Sequence, residues 1–198
     1  AASDVYKRQV FGWVVKMLTI LILLLLAFGF YTGAKRGLIL QVLYSVGYLI
    51  SYFVARTYYK EVASHLELYI PYPSVTPTSK LVFFNQEISL DLDKAFYSAV
   101  AFLLLLFAGW LVVRFLAIFL HGLTFIPVLK QVNGLLGGVL SVLVLYVGLF
   151  LVLATASMIP SDIVQNQFRS SGLARGIVKN TPILTKQAYE LWVEPITK

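Results

Sequence analysis

The chain has 198 residues, of which 59% are hydrophobic and only 13% charged, with a mean hydropathy of +0.83. Soluble domains carry about 25% charged residues, so a water-soluble globular fold is excluded. The absence of cysteine excludes disulfides and thiolate metal sites. The formal charge of +7 is scattered beside apolar blocks and through the tail, which favours anionic lipid headgroups as its partner and argues against nucleic acid.

The apolar residues fall into four blocks, each long enough for the roughly 20 residues that cross a bilayer. The sequence therefore reads as an all-α polytopic membrane protein with spans at 12–31, 38–55, 96–119 and 135–159. An interfacial loop over 56–95 and an amphipathic, membrane-surface tail over 161–198 complete the expected domain plan. Residues 1–11 share no periodicity with the first span and are read as a non-native or disordered leader.

Span one places Trp13 and Tyr31 where interfacial aromatics belong, with Lys16 near enough to its end to snorkel. It ends in Gly29, Gly33 and Gly37, spaced four apart, with Lys35 and Arg36 between the last two. That spacing puts the glycines on one helical face, where a second helix can approach closely. The exit over 32–36 is so short that span two must run antiparallel beside span one. Gly47, Ser51 and Ala55 form a second small-residue face on span two, the expected partner of those glycines. Gln41 and Ser45 are read as interhelical hydrogen-bonding groups ahead of a ligand site. Arg56, Lys60 and the tyrosines 48, 52, 58 and 59 mark the far interface.

Within the loop, 61–69 carries apolar residues three to four apart and predicts a short helix lying in the interface. Pro71, Pro73 and Pro77 break regular structure, and Leu81 to Phe84 is too short to span and is expected to dip into the headgroups. Asp91 and Asp93 precede span three, where carboxylates suit the positive end of a helix. Span three holds the one deep charge, Arg114; snorkelling or a backbone-carbonyl contact is weighed ahead of an ion or substrate role. His65 and His121 are single histidines read as interfacial.

A connection over 122–133, carrying Pro127, Lys130 and Gln131, leads into span four, which opens with Gly134, Gly137 and Gly138. Ser141 continues that small side, and Gly148 is expected to add a further docking point. The spans are read as two helical hairpins, one to two and three to four. Beyond Pro160 short helices are predicted over 162–168 and 172–179, with Ser170 or Ser171 as N-cap. After a break at Pro182, Ile183, Leu184, Ala188, Leu191 and Trp192 form one apolar stripe.

All nine acidic residues lie outside the four expected spans, so no intramembrane carboxylate is available for proton coupling. The sequence has no HExxH, no Walker A pattern, no GxSxG and no Asp/Glu/His cluster with metal-ligand spacing. The expectation is a non-enzymatic protein with no catalytic residue, no cofactor and no metal. Its candidate packing residues are Gly29, Gly33, Gly37, Gly47, Ser51, Gly134, Gly137 and Gly138. Its candidate functional polar residues are Arg36, Arg114 and Asn133.

The segments YTGAKRGLILQVL, VNGLLGGVLSVLVLYV and SSGLARGIVKNTPIL together resemble the colicin V production protein family of bacterial inner-membrane proteins. The resemblance covers 13–192 and is most specific at Gly33, Arg36 and Gly37 and at Asn133, Gly134, Gly137 and Gly138. The chain departs from it in lacking an acid at the start of span one and in having Val132 and Asn133 where many members carry an acid–base pair. The Arg usual after the span-four glycines is also missing, with Ser141 or its neighbours in its place. The resemblance implies a role in production or export of a peptide toxin and in envelope integrity, with no established catalytic residues to carry over. A similar four-span unit anchors some extracytoplasmic serine proteases, which favours termini outside the cytoplasm and both short loops inside. The expected partners are membrane lipids, envelope or secretion proteins and further copies of the chain. The alternative is a small oligomeric channel or transporter with Arg114 lining the path.

Overall fold

The computed structural model describes residues 2–73, 81–89, 91–120 and 130–197. The regular elements there are all helical: α1 (Ala2–Arg36), α2 (Leu38–Leu66), α3 (Gln86–Ser89), α4 (Leu92–Leu120) and α5 (Lys130–Ser157), then α6 (Asp162–Ser170), α7 (Gly172–Lys179) and α8 (Pro182–Ala188). A π-helical turn over Tyr189–Val193 and α9 (Glu194–Thr197) close the chain. Four stretches are long and apolar enough to cross a membrane: Met17–Arg36, Leu38–Leu66, Leu92–Phe119 and Val132–Ser157. The protein is an all-α, multi-pass membrane protein.

These helices outrun the expected spans because a helix stops at a breaker, not at the hydrocarbon edge. α1 runs back to Ala2 through residues 1–11, expected as a leader, and forward to Arg36. α2 meets no proline or glycine after Gly47 and continues to Leu66, absorbing most of the helix expected to lie separately in the interface. The longer helices also take in Glu61 and Asp93, two acids expected outside the spans; both sit near helix ends. Asp93 Oδ1 accepts from the Lys94 backbone N–H at 2.8 Å, in the first turn of α4. The prolyl segment around Pro77 and the connection around His121 and Pro127 lie outside the described residues.

The chain folds as two compact units, residues 1–24, 70–96 and 150–198 forming one and 25–69 and 97–149 the other. In the first unit the tail is structural. Phe150, Phe168, Ile177, Trp192 and Val193 are all buried in its core. Phe83 packs edge-on against Phe168 at 5.3 Å, so the Leu81–Phe84 segment docks on the tail. Ser171, not Ser170, caps α7: its Oγ accepts from the Ala174 N–H at 3.1 Å and pairs with the Thr19 hydroxyl at 2.8 Å. The expected apolar stripe of the last segment is only partly buried: Trp192 is enclosed while Ile183 is 72% exposed.

The last carbonyls of a helix need donors from outside it. At the end of α5 they find them in side chains. Gln165 Nε2 donates to the carbonyls of Ser157 (3.1 Å) and Ile159 (2.8 Å), and Tyr72 donates its hydroxyl to that of Met158 (2.7 Å). The other end of the Gln165 carboxamide accepts from the Val82 N–H at 2.9 Å. One buried glutamine thus ties the end of α5, the Leu81–Phe84 segment and α6 together.

In the second unit α2 and α4 run antiparallel with a regular register. Tyr44 clusters with Ala117, Gly47 faces Val113, Ser51 faces Gly109, and Tyr59 and Tyr52 both pack edge-on against Phe102. The small-residue face of Gly47 and Ser51 therefore belongs to the α2–α4 pairing, and not to span one as expected. Ser45 bonds back to the Gln41 carbonyl of its own helix at 2.8 Å, the local alternative open to a short hydroxyl side chain.

Gln165→Leu strands the carbonyls it serves, at about 1–3 kcal/mol for each buried unsatisfied group. At about 2–4 °C per kcal/mol, the purified protein is expected to melt several degrees lower. Gln167→Leu, whose buried Oε1 has no partner, is expected to leave the midpoint unchanged. Thermal unfolding in detergent checks both.

Candidate functional site

The glycines of α1 meet α5. A Cβ built on Gly29 would strike the Leu145 side chain. One on Gly33 would strike Ser141 and the Gly137 carbonyl oxygen, and one on Gly137 would lie 2.6 Å from the Gly37 carbonyl carbon. Gly138 is closed off by the Phe30 ring and Gly134 lies over the Ala34 carbonyl. Each four-residue step on α1 matches a four-residue step on α5, an antiparallel ladder of small residues in which the two backbones touch. Gly148, by contrast, meets nothing within 4 Å among the described residues.

Gly37 supplies the whole turn between α1 and α2. Its φ of +79° lies in the left-handed region that side-chain-bearing residues avoid. The turn is closed by Asn133, whose Oδ1 accepts from the Leu38 N–H at 2.7 Å and so satisfies a first-turn donor of α2. Asn133, singled out in the sequence as a functional polar group, is a helix cap delivered from another helix.

Arg36 and Arg114, far apart in sequence, converge on one ring. The guanidinium carbons lie 5.0 and 5.4 Å from the centroid of Tyr44. Arg114 also lies 5.3 Å from the Trp110 centroid. Arg114 therefore sits between the Trp110 and Tyr44 rings, an aromatic clamp. Gln41, one turn before Tyr44 and 2% exposed, presents an Oε1 with no partner, and Arg114 Nε is likewise buried and unpartnered. Cation–π contacts contribute about 0.5–2 kcal/mol each, whereas desolvating an ion costs several kcal/mol. The rings orient the two cations without neutralising them.

Residues 18–182 match the family described as Colicin V production protein. The chain belongs to this family. It is also similar to the uncharacterized transmembrane protein YshB of Bacillus subtilis (strain 168), 38% identical over 179 residues that cover 90% of this chain and 98% of that one. No solved structure matches the chain.

The segment matched to the colicin V production family contains the whole glycine ladder, the Gly37 turn and both arginines. Spacing alone made the glycines legible. Tyr44, Gln165 and Tyr72 were not singled out, because a tyrosine inside an aromatic-rich helix and a glutamine in a polar tail carry no periodic signal. Among the described residues no group of three His, Asp or Glu side chains could hold a metal ion. His65 is exposed, its Nδ1 2.9 Å from the Glu61 carbonyl oxygen. The first unit has a half-open, mostly apolar pocket of about 290 Å³ lined by Phe84, Phe150, Met158, Val178 and Tyr189.

In lipid, helix association rests on close packing and not on transfer from water. Gly33→Leu and Gly137→Leu are therefore expected to lower the melting midpoint and the folded yield sharply. Leu24→Ala, at a position 63% exposed, and Gly148→Leu are expected to lie close to the parent. Fluorescence-detected size exclusion over a temperature series compares all four.

Proposed function

We propose that this chain is a non-enzymatic membrane protein that supports toxin production or secretion and envelope homeostasis, working through helix packing and contacts with partner proteins. The observation that carries this reading is the outer face of α4. Phe107, Leu111, Phe115 and Phe119 recur every four residues and are 56%, 49%, 62% and 72% exposed. Only 11% of the apolar window of that span is buried. Aromatic side chains are enriched at protein–protein interfaces, and a stripe of this kind suits a partner helix or a second copy. Family membership supplies the link to colicin V production.

The proposed location is the bacterial cytoplasmic (inner) membrane, with the termini outward and the Gly37 turn inside. Lys35 and Arg36 crowd the helix end at that turn, and charges close to span ends weigh most in orientation. Because the chain has no cysteine, Lys35→Cys and Ser74→Cys report orientation directly. The outward reagent should label only Ser74→Cys in intact cells; the reverse pattern inverts the topology.

A photo-crosslinking residue at Phe115 in native membranes is expected to capture a defined protein, and Phe107→Ala/Phe115→Ala/Phe119→Ala to lose both the adduct and toxin export while melting like the parent. Export unaffected by the triple variant would sink the reading. The alternative, a channel or transporter lined by Arg114, predicts ion or solute flux in proteoliposomes that Arg114→Ala abolishes. Against it stands the clamp that turns Arg114 onto rings of its own unit.

A further inference from the structure

We infer that Arg36 and Arg114, arrayed around Tyr44, form a binding site for a phosphate group, carried by an anionic phospholipid or by a soluble phosphate. The inference rests on neither functional reading above, since it comes from the charge balance of the second unit alone. That unit contains two acids, Glu61 and Glu67, both exposed and both at the far end of α2. Glu61 lies seventeen residues beyond Tyr44, about 25 Å along the helix axis at about 1.5 Å per residue. Neither glutamate can reach the arginines.

The two arginines come from different helices, α1 and α4, and the ring between them comes from α2. Both arginines are half-buried as residues. Guanidinium forks match the oxygens of a phosphate in pairs, and the two forks here share Tyr44 as a common neighbour. The buried Nε of Arg114 has no partner within the protein, a donor that an anion's oxygen would satisfy. The helix ends place the cluster within one to two turns of the surface. A headgroup phosphate of that leaflet, or a phosphate from the adjoining water, can reach it.

The test uses the full chain, purified in a zwitterionic detergent, with native mass spectrometry and melting as readouts. Phosphatidylglycerol is expected to remain bound and to raise the midpoint. The Arg36→Gln/Arg114→Gln variant should bind it at least tenfold more weakly, while Lys35→Gln, whose Nζ sits over Tyr31, should bind it like the parent. Diacylglycerol, which has no phosphate, should give no adduct. Inorganic phosphate that displaces the lipid, or stabilises the parent but not the double variant, identifies the soluble source. Equal binding of phosphatidylglycerol by parent and double variant, or binding of diacylglycerol as tight as phosphatidylglycerol, overturns the site. If the double variant does not fold, Arg36→Lys and Arg114→Lys keep the charge and lose the fork; each should weaken binding at least threefold, and unchanged binding in both overturns the site.

Discussion

The structure of the second unit depends on two helices being allowed to touch along their backbones. Burying leucine against leucine gains little inside a bilayer, because the lipid outside is as apolar as the protein within. What remains is contact area and shape. Gly33, Gly37, Gly137 and Ser141 remove the side chains that would hold α1 and α5 apart, and the Gly33 and Gly37 carbonyls come within 3 Å of where a Gly137 side chain would begin. The second ladder, Gly47 and Ser51 of α2 against Val113 and Gly109 of α4, works in the same way.

The first unit is held by a different device. Its polar hydrogen bonds are made by side chains reaching across sequence: Gln165 and Tyr72 at the end of α5, and Thr19 with Ser171 at the start of α7. Trp192 and Phe168 then close the apolar core around them. The short helices α6 to α9 need such staples, since none of them is long enough to be stable alone.

The four long helices were readable from hydropathy, and the glycine faces from four-residue spacing, because both signals are carried by neighbours along the chain. Which face meets which was not. The short exit over 32–36 points to Gly47, Ser51 and Ala55 as the partners of Gly29, Gly33 and Gly37, yet each helix pairs its glycines elsewhere. The hydrophobic pattern that marks the spans fades at Tyr31 and Ala55, while the helices that carry them run on to Arg36 and Leu66. The meeting of Arg36 and Arg114 at Tyr44 joins residues nearly eighty positions apart, a relation no local pattern encodes.

A ladder that repeats every four residues has a hidden degeneracy. Sliding α1 along α5 by one turn would bring Gly29 from Leu145 to Ser141 and still leave small residues facing small residues. Smallness therefore lets the rods approach but leaves open where they stop. The stop is a point contact, the Asn133 carboxamide locked on the Leu38 amide at the only bend between α1 and α2. One hydrogen bond at the rim acts as the detent of an otherwise sliding joint.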